Sequence, residues 1–131
     1  MYRTKKVPKK PRRRLAVDFD GVIHKYSLGF HDGTLYDIPF PGAKQSLTKL
    51  RKKWWIYVYT VRATTKKGRQ AVESYLKKNK IPYDEVVPHK PVAFAYIDDR
   101  AIHFQNWPTA IKDLNKMDRS NQKKKKIDNK T

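Results

Sequence analysis

Asp18 and Asp20 stand two residues apart in Ala16-Val17-Asp18-Phe19-Asp20-Gly21, and Asp98 and Asp99 stand side by side in Tyr96-Ile97-Asp98-Asp99-Arg100. Between the two pairs lie Thr60, in Val58-Tyr59-Thr60-Val61-Arg62, and Lys90, in His89-Lys90-Pro91. These residue types can divide the work of phosphoryl transfer. An aspartate can attack phosphorus to give an aspartyl-phosphate. A second carboxyl two residues on can protonate the leaving group and later deprotonate the attacking water. A hydroxyl and an ammonium can hold the phosphoryl oxygens as charge redistributes. Four carboxylates gathered at one place repel one another unless a cation sits among them. Hard carboxylate oxygens suit Mg²⁺, which keeps several of its waters. The chain has no cysteine, which excludes disulfide, thiol and cysteine–metal chemistry. Its four histidines, His24, His31, His89 and His103, lack ligand spacing. His24 and His31 could touch a substrate, but surface or internally satisfied histidines are the plainer reading of all four.

The elements that must position these residues alternate. Leu15-Ala16-Val17 reads as a buried strand running into the loop at Asp18. Residues 22–41 carry Gly29, Gly33, Pro39 and Pro41 as breakers, with aromatics between them, and read as a small flap or hairpin. Tyr26, Phe30, Tyr36 and Phe40 in that flap could stack on a base or sugar, or fold the flap onto the sheet. Pro41-Gly42 opens a helix to about 53. The stretch 54–59 is dense in aromatic and β-branched residues and predicts a second strand, ending at Thr60. A helix over about 66–80 follows, capped by Thr64 or Thr65, with Ala71, Val72, Tyr75 and Leu76 on one face. Short strands are expected at 84–87, 93–97 and 101–104, and a last helix from about 108 to 114. Trp54, Trp55 and Trp107 read as core or helix-packing residues. The pattern predicts an α/β fold with a mainly parallel sheet, in which ligands bind at the carboxyl ends of the strands. Asp18 and Asp20, Thr60, and Asp98 and Asp99 all fall at such ends.

Each signal has a bland counterpart. A threonine after a strand often caps a turn, paired aspartates often start one, and a lysine before proline is usually solvated. Their occurrence in order at successive strand ends outweighs the separate bland readings. At this point the sequence resembles the haloacid dehalogenase (HAD) superfamily. "AVDFDGVIH" is similar to its first motif, "VYTVR" to its second, "HKPVAF" to its third and "YIDDRAIHF" to its fourth. A group of short, capless HAD-like proteins of phages and bacteria is more similar still, and the likeness covers residues 15–114. The resemblance implies a Rossmann-like three-layer sandwich with a small flap insert and no large cap domain. It implies Asp18 as nucleophile and Mg²⁺ ligand, and Asp20 as general acid/base with its backbone carbonyl on the metal. Thr60 would bind the phosphoryl group, Lys90 would stabilise it, and Asp98 with Asp99 would complete the metal site. Arg62 and Arg100 are accessory phosphate contacts on this reading, with a structural salt bridge as the equal alternative for each. Only about twenty residues separate Gly21 from Gly42, so the site should be open to bulky or macromolecular phosphates.

The 131-residue chain suits one domain, and its formal charge of +19 is concentrated at its ends. Residues 1–14 carry eight Lys/Arg and no acid, and residues 116–131 carry seven Lys/Arg and two acids. Both stretches read as basic disordered arms flanking a phosphatase domain at 15–115. Such arms attract polyanions by releasing counterions, so nucleic acid is an expected partner beside the phosphorylated substrate, with solvated tails that aid solubility as the alternative. The apolar runs are too short and interrupted to span a bilayer, and the basic start lacks the apolar stretch of a secretory signal. The expectation is a cytoplasmic protein without a membrane partner, or a nuclear one in a eukaryotic host. The leading functional expectation is a Mg²⁺-dependent phosphomonoesterase acting on nucleotides or nucleic-acid ends. Its alternative is a nucleic-acid-binding accessory protein on the same scaffold with little or no turnover. A phosphotransferase, in which another hydroxyl replaces water, shares every feature of the first.

Overall fold

Strand β1 spans Arg13–Asp18, and Leu15, Ala16 and Val17 within it are all buried. Successive strand side chains point to opposite faces, so both faces of this strand are covered, as expected of a central strand in a parallel sheet. The computed structural model describes residues 12–129. Within them the order is β1, helix α1 (Ala43–Leu50), β2 (Trp54–Tyr59), a single 3₁₀ turn (Val61–Thr64), α2 (Lys66–Lys78), β3 (Glu85–Val87), β4 (Ala95–Ile97) and α3 (Trp107–Asn129). The sheet is all parallel, in the order β3-β2-β1-β4. The fold is therefore α/β. No described helix is long and apolar enough to cross a membrane.

The register sets out the site. Asp18 is paired with Tyr59 across β1 and β2, and Val17 with Ile97 across β1 and β4. The carboxyl ends of three neighbouring strands thus stop at one level, and Asp98 emerges beside Asp18. Beneath them Val17, Phe19, Ile23, Ile56, Val58, Val72, Leu76 and Val86 form the core. The opposite edge is closed by an ion cluster around one buried carboxylate. Asp84, fully buried, accepts from the Ile56 N–H at 2.7 Å and from Arg51 Nε and Nη2 at 3.1 and 3.0 Å, and it pairs with Arg12 Nη2 at 3.4 Å.

Several expectations need correction. Residues 101–104 form no strand, so the described sheet has four strands. The basic arm expected through residue 14 already belongs to the fold at Arg12. Arg13 and Arg14 open β1, and the Arg13 guanidinium lies 4.8 Å from the Trp54 ring centre and 4.2 Å from that of Phe94. Flat guanidinium groups stack on aromatic faces, which draws the Arg13 charge onto the sheet. Residues 1–11 of that arm lie outside the described residues. At the other end, α3 starts at Trp107, where the Asn106 side chain caps it through the Thr109 N–H at 2.9 Å, but it continues to Asn129. The stretch expected as an arm from 116 on is thus largely helical, since Lys, Gln and Arg extend a helix readily once it is started. The chain falls into two units, one ending at Asp99 and one from Arg100 onward.

Candidate active site

Asp18 ends β1. Asp18 Oδ1 accepts the Phe19 N–H at 2.8 Å, which fixes the carboxylate at the strand's end. One carboxylate oxygen from each of Asp18, Asp98 and Asp99 lies within 4.8 Å of the others. Burial first, and then the neighbouring Asp98 and Asp99 carboxylates, push the Asp18 carboxyl up to about 7, against an opposing hydrogen bond from Phe19 N–H. Three oxygens so close, with one acid this perturbed, are an arrangement that a hard divalent cation would relieve. Asp18, Asp98 and Asp99 therefore fit Mg²⁺ as ligands. The Asp20 carboxylate does not join them.

Asp20 is held elsewhere. Its Oδ2 accepts Arg62 Nε–H at 2.8 Å, and its Oδ1 lies 2.8 Å from His24 Nδ1. His24 is fully buried, and its Nε2 accepts the Asp37 N–H at 3.1 Å. An imidazole that accepts at Nε2 carries its proton at Nδ1, so His24 donates to Asp20. The ring sits among Phe19, Tyr26, Tyr36 and Tyr75, with centroids 5.3 to 5.7 Å away. This histidine is a satisfied internal group, yet it also ties the flap to the second aspartate. Arg62 does the same from the 3₁₀ turn after β2, reaching Gly33 O through Nη1 at 2.7 Å. Of its two expected uses, the salt bridge is the one formed.

The remaining residues fall as follows. Thr60 is buried, and its Oγ1 accepts the Arg62 N–H at 3.2 Å, capping the 3₁₀ turn. That contact uses an acceptor lone pair and leaves the hydroxyl proton to donate. Lys90 Nζ lies 3.5 Å from Asp98 Oδ2 and 4.9 Å from the Tyr96 ring centre. Arg100 is exposed and opens the second unit. His31, His89 and His103 are exposed. In the flap, the Tyr36 hydroxyl joins Leu28 N–H to Gly29 O, so it folds the segment, whereas Phe30 stays 65% exposed.

Three contributors escape a reading by motif. The Tyr59 hydroxyl donates to Asp98 Oδ2; burial, first, and this bond raise the phenol above its ordinary range and keep it protonated. Gly21, at φ +86°, lies where a Cβ would stand 2.2 Å from Asp99 Oδ2, so only glycine fits there without moving the carboxylate. Gly68, in the first turn of α2, lies where a Cβ would stand 1.9 Å from Arg62 O, which lets the helix close on the strap carrying Arg62. The sequence signal for the first is its place at the end of the apolar run 54–59, and its register opposite Asp18 comes from the fold. No family model, curated protein or solved structure matches the chain.

Proposed function

We propose that this chain is a Mg²⁺-dependent phosphomonoesterase of the haloacid dehalogenase type, a three-layer Rossmann-like domain with a flap and no large cap. The observation that carries the reading is the convergence of Asp18, Asp98 and Asp99 within 4.8 Å at the carboxyl edge of a parallel sheet. Asp20 stands two residues from Asp18 and is held by separate donors. When bound, Mg²⁺ would offset part of the negative charge of the three carboxylates and of the phosphoryl group. Asp18 attacks phosphorus through a carboxylate oxygen, the new O–P bond forms, and the bond to the leaving oxygen breaks. Asp20 supplies the proton that the leaving oxygen takes up. Water then attacks the aspartyl-phosphate, Asp20 accepts its proton, and the bond to Asp18 breaks to release inorganic phosphate. Both Asp20 oxygens accept from fixed donors, and each keeps a further lone pair for the proton in transit. Thr60 donates its hydroxyl proton to a phosphoryl oxygen, and the Lys90 ammonium balances its charge.

The test is hydrolysis of p-nitrophenyl phosphate with and without Mg²⁺, with wild type beside Asp18→Asn. Metal-dependent release of p-nitrophenol by wild type, absent from the folded variant, is the expected result. Equal activity in the two proteins would refute the assignment. A second reading, a nucleic-acid-binding protein with little turnover, draws on the +19 formal charge. It predicts salt-dependent binding to DNA or RNA that disappears when both basic ends are removed.

A further inference from the structure

Beside the acid/base residue lies a second cleft, of about 640 Å³, between the flap and one face of α2. Its lining holds three cations, Arg62, Lys67 and Lys78, and no acid. The single acid of α2, Glu73, lines a different hollow with Arg51 and Lys77. Residues 67, 71, 74 and 78 recur at helical spacing, so they share one stripe of α2. Leu35, Ala71 and Tyr75 supply an apolar floor between the charges. Arg62 joins the cleft to the chemistry, because its Nε holds Asp20 while its Nη2 is buried with no hydrogen-bond partner. Lys67 and Lys78 are eleven residues apart, about three turns and about 16 Å along the helix. That is farther than the adjacent phosphates of one nucleotide reach, and it suits a chain of successive phosphodiesters.

We propose that this cleft seats the phosphodiester backbone of a polynucleotide whose terminal phosphate is presented to Asp18. The inference rests on the phosphomonoesterase reading and adds to it the substrate class and the path of the strand. Lys67 and Lys78 make the backbone contacts, and Arg62 bounds the end nearest the reacting phosphate. The strand is held by charge and by the apolar floor, without any reading of base sequence.

The experiment measures fluorescence anisotropy of a labelled single-stranded oligonucleotide with a terminal phosphate, bound by full-length Asp18→Asn protein over a salt series. In that background it compares the pair Lys67→Ala/Lys78→Ala with Lys52→Ala/Lys53→Ala, an equal loss of exposed charge just after α1. Two lost single-strand contacts flatten the log–log salt slope by about 1.4 and weaken binding on the order of 10-fold. The expected result is that loss in the first pair and none in the second. Equal effects in the two pairs would overturn the proposal, as would displacement by ATP as effective as by unlabelled oligonucleotide at equal phosphate concentration. Hydrolysis of p-nitrophenyl phosphate by wild type separates the two readings. Turnover with oligonucleotide binding indifferent to Lys67 and Lys78 removes the cleft proposal alone. Binding that depends on those lysines, without any Mg²⁺-dependent turnover, upholds the strand path and removes the phosphomonoesterase reading.

Discussion

Replacing Asp18 by asparagine should stabilise the metal-free protein at alkaline pH while removing its proposed nucleophile. The carboxyl rises from 3.8 to about 7 in the folded protein. A group that binds its proton more tightly folded than unfolded costs nothing below the lower value. Its cost grows as pH rises from about 4 to about 7 and stands in full above that. The difference corresponds to at most about 4 kcal/mol, and because Asp18 is only half-buried, solvent screening reduces it to about 2 kcal/mol. Asparagine has nearly the same shape, can still accept the Phe19 N–H, and carries no charge. Urea unfolding, chosen because an ionic denaturant would screen the carboxylates, should show Asp18→Asn more stable by about 2 kcal/mol at pH 8 in EDTA. The gap should shrink progressively toward pH 4. Saturating Mg²⁺ should reverse the order, since a ligand at 100 times its Kd adds about 2.7 kcal/mol, and the variant has one fewer anionic ligand. A variant no more stable than wild type at pH 8, an advantage equal at pH 4 and pH 8, or equal stabilisation of both proteins by Mg²⁺ would refute the reasoning.

His24→Phe should keep the ring packed while deleting the bond to Asp20; a hydrogen bond to a charged group contributes about 2 kcal/mol, so kcat should fall on the order of 30-fold with KM little changed. Steady-state kinetics on the folded variant decide it, and an unchanged kcat would show that Asp20 needs no such positioning. Gly21→Ala should weaken Mg²⁺ binding at least about 10-fold, because its Cβ would meet Asp99 Oδ2 at 2.2 Å in a backbone conformation that also disfavours alanine; a Mg²⁺ titration of stability reads this. Asp84→Ala should cost about 3 kcal/mol by leaving the buried Ile56 N–H unpaired and taking the carboxylate from the part-buried Arg12 at the far edge of the sheet. Urea unfolding measures that loss, and kcat of the protein that remains folded should match wild type.

The strand ends were legible in the sequence because a parallel sheet is buried on both faces. The apolar runs 15–17 and 54–59 announce strands without any tertiary information, and each run stops where the chemistry-bearing residues begin. Sequence could therefore name Asp18, Thr60, Asp98 and Asp99 as neighbours at one edge, and place α2 after a threonine cap, which proves to be Thr65. Residue type and spacing alone could not separate Asp18 from Asp20, and only the family resemblance gave them different roles. The two look alike in the chain, and alternation along an extended strand would send both to the same side. The turn after Phe19 instead hands Asp20 to Arg62, 42 positions away, and to a histidine of the flap. Pairing across such distances leaves no local pattern. The same holds for Asp84, which reads as the first residue of a short strand until Arg12 and Arg51 close on it, and for Arg12 and Arg13, whose charge resembles an arm until aromatic rings receive it. Residues 101–104 have a strand's composition, yet no described strand pairs with them, because a strand exists only by its neighbour. What the sequence determined alone is the set of acids and the edge at which they gather, since burial and periodicity are local properties. Which acid faces the other carboxylates and which is held apart was decided only in three dimensions, where hydrogen-bond partners are chosen by proximity in space.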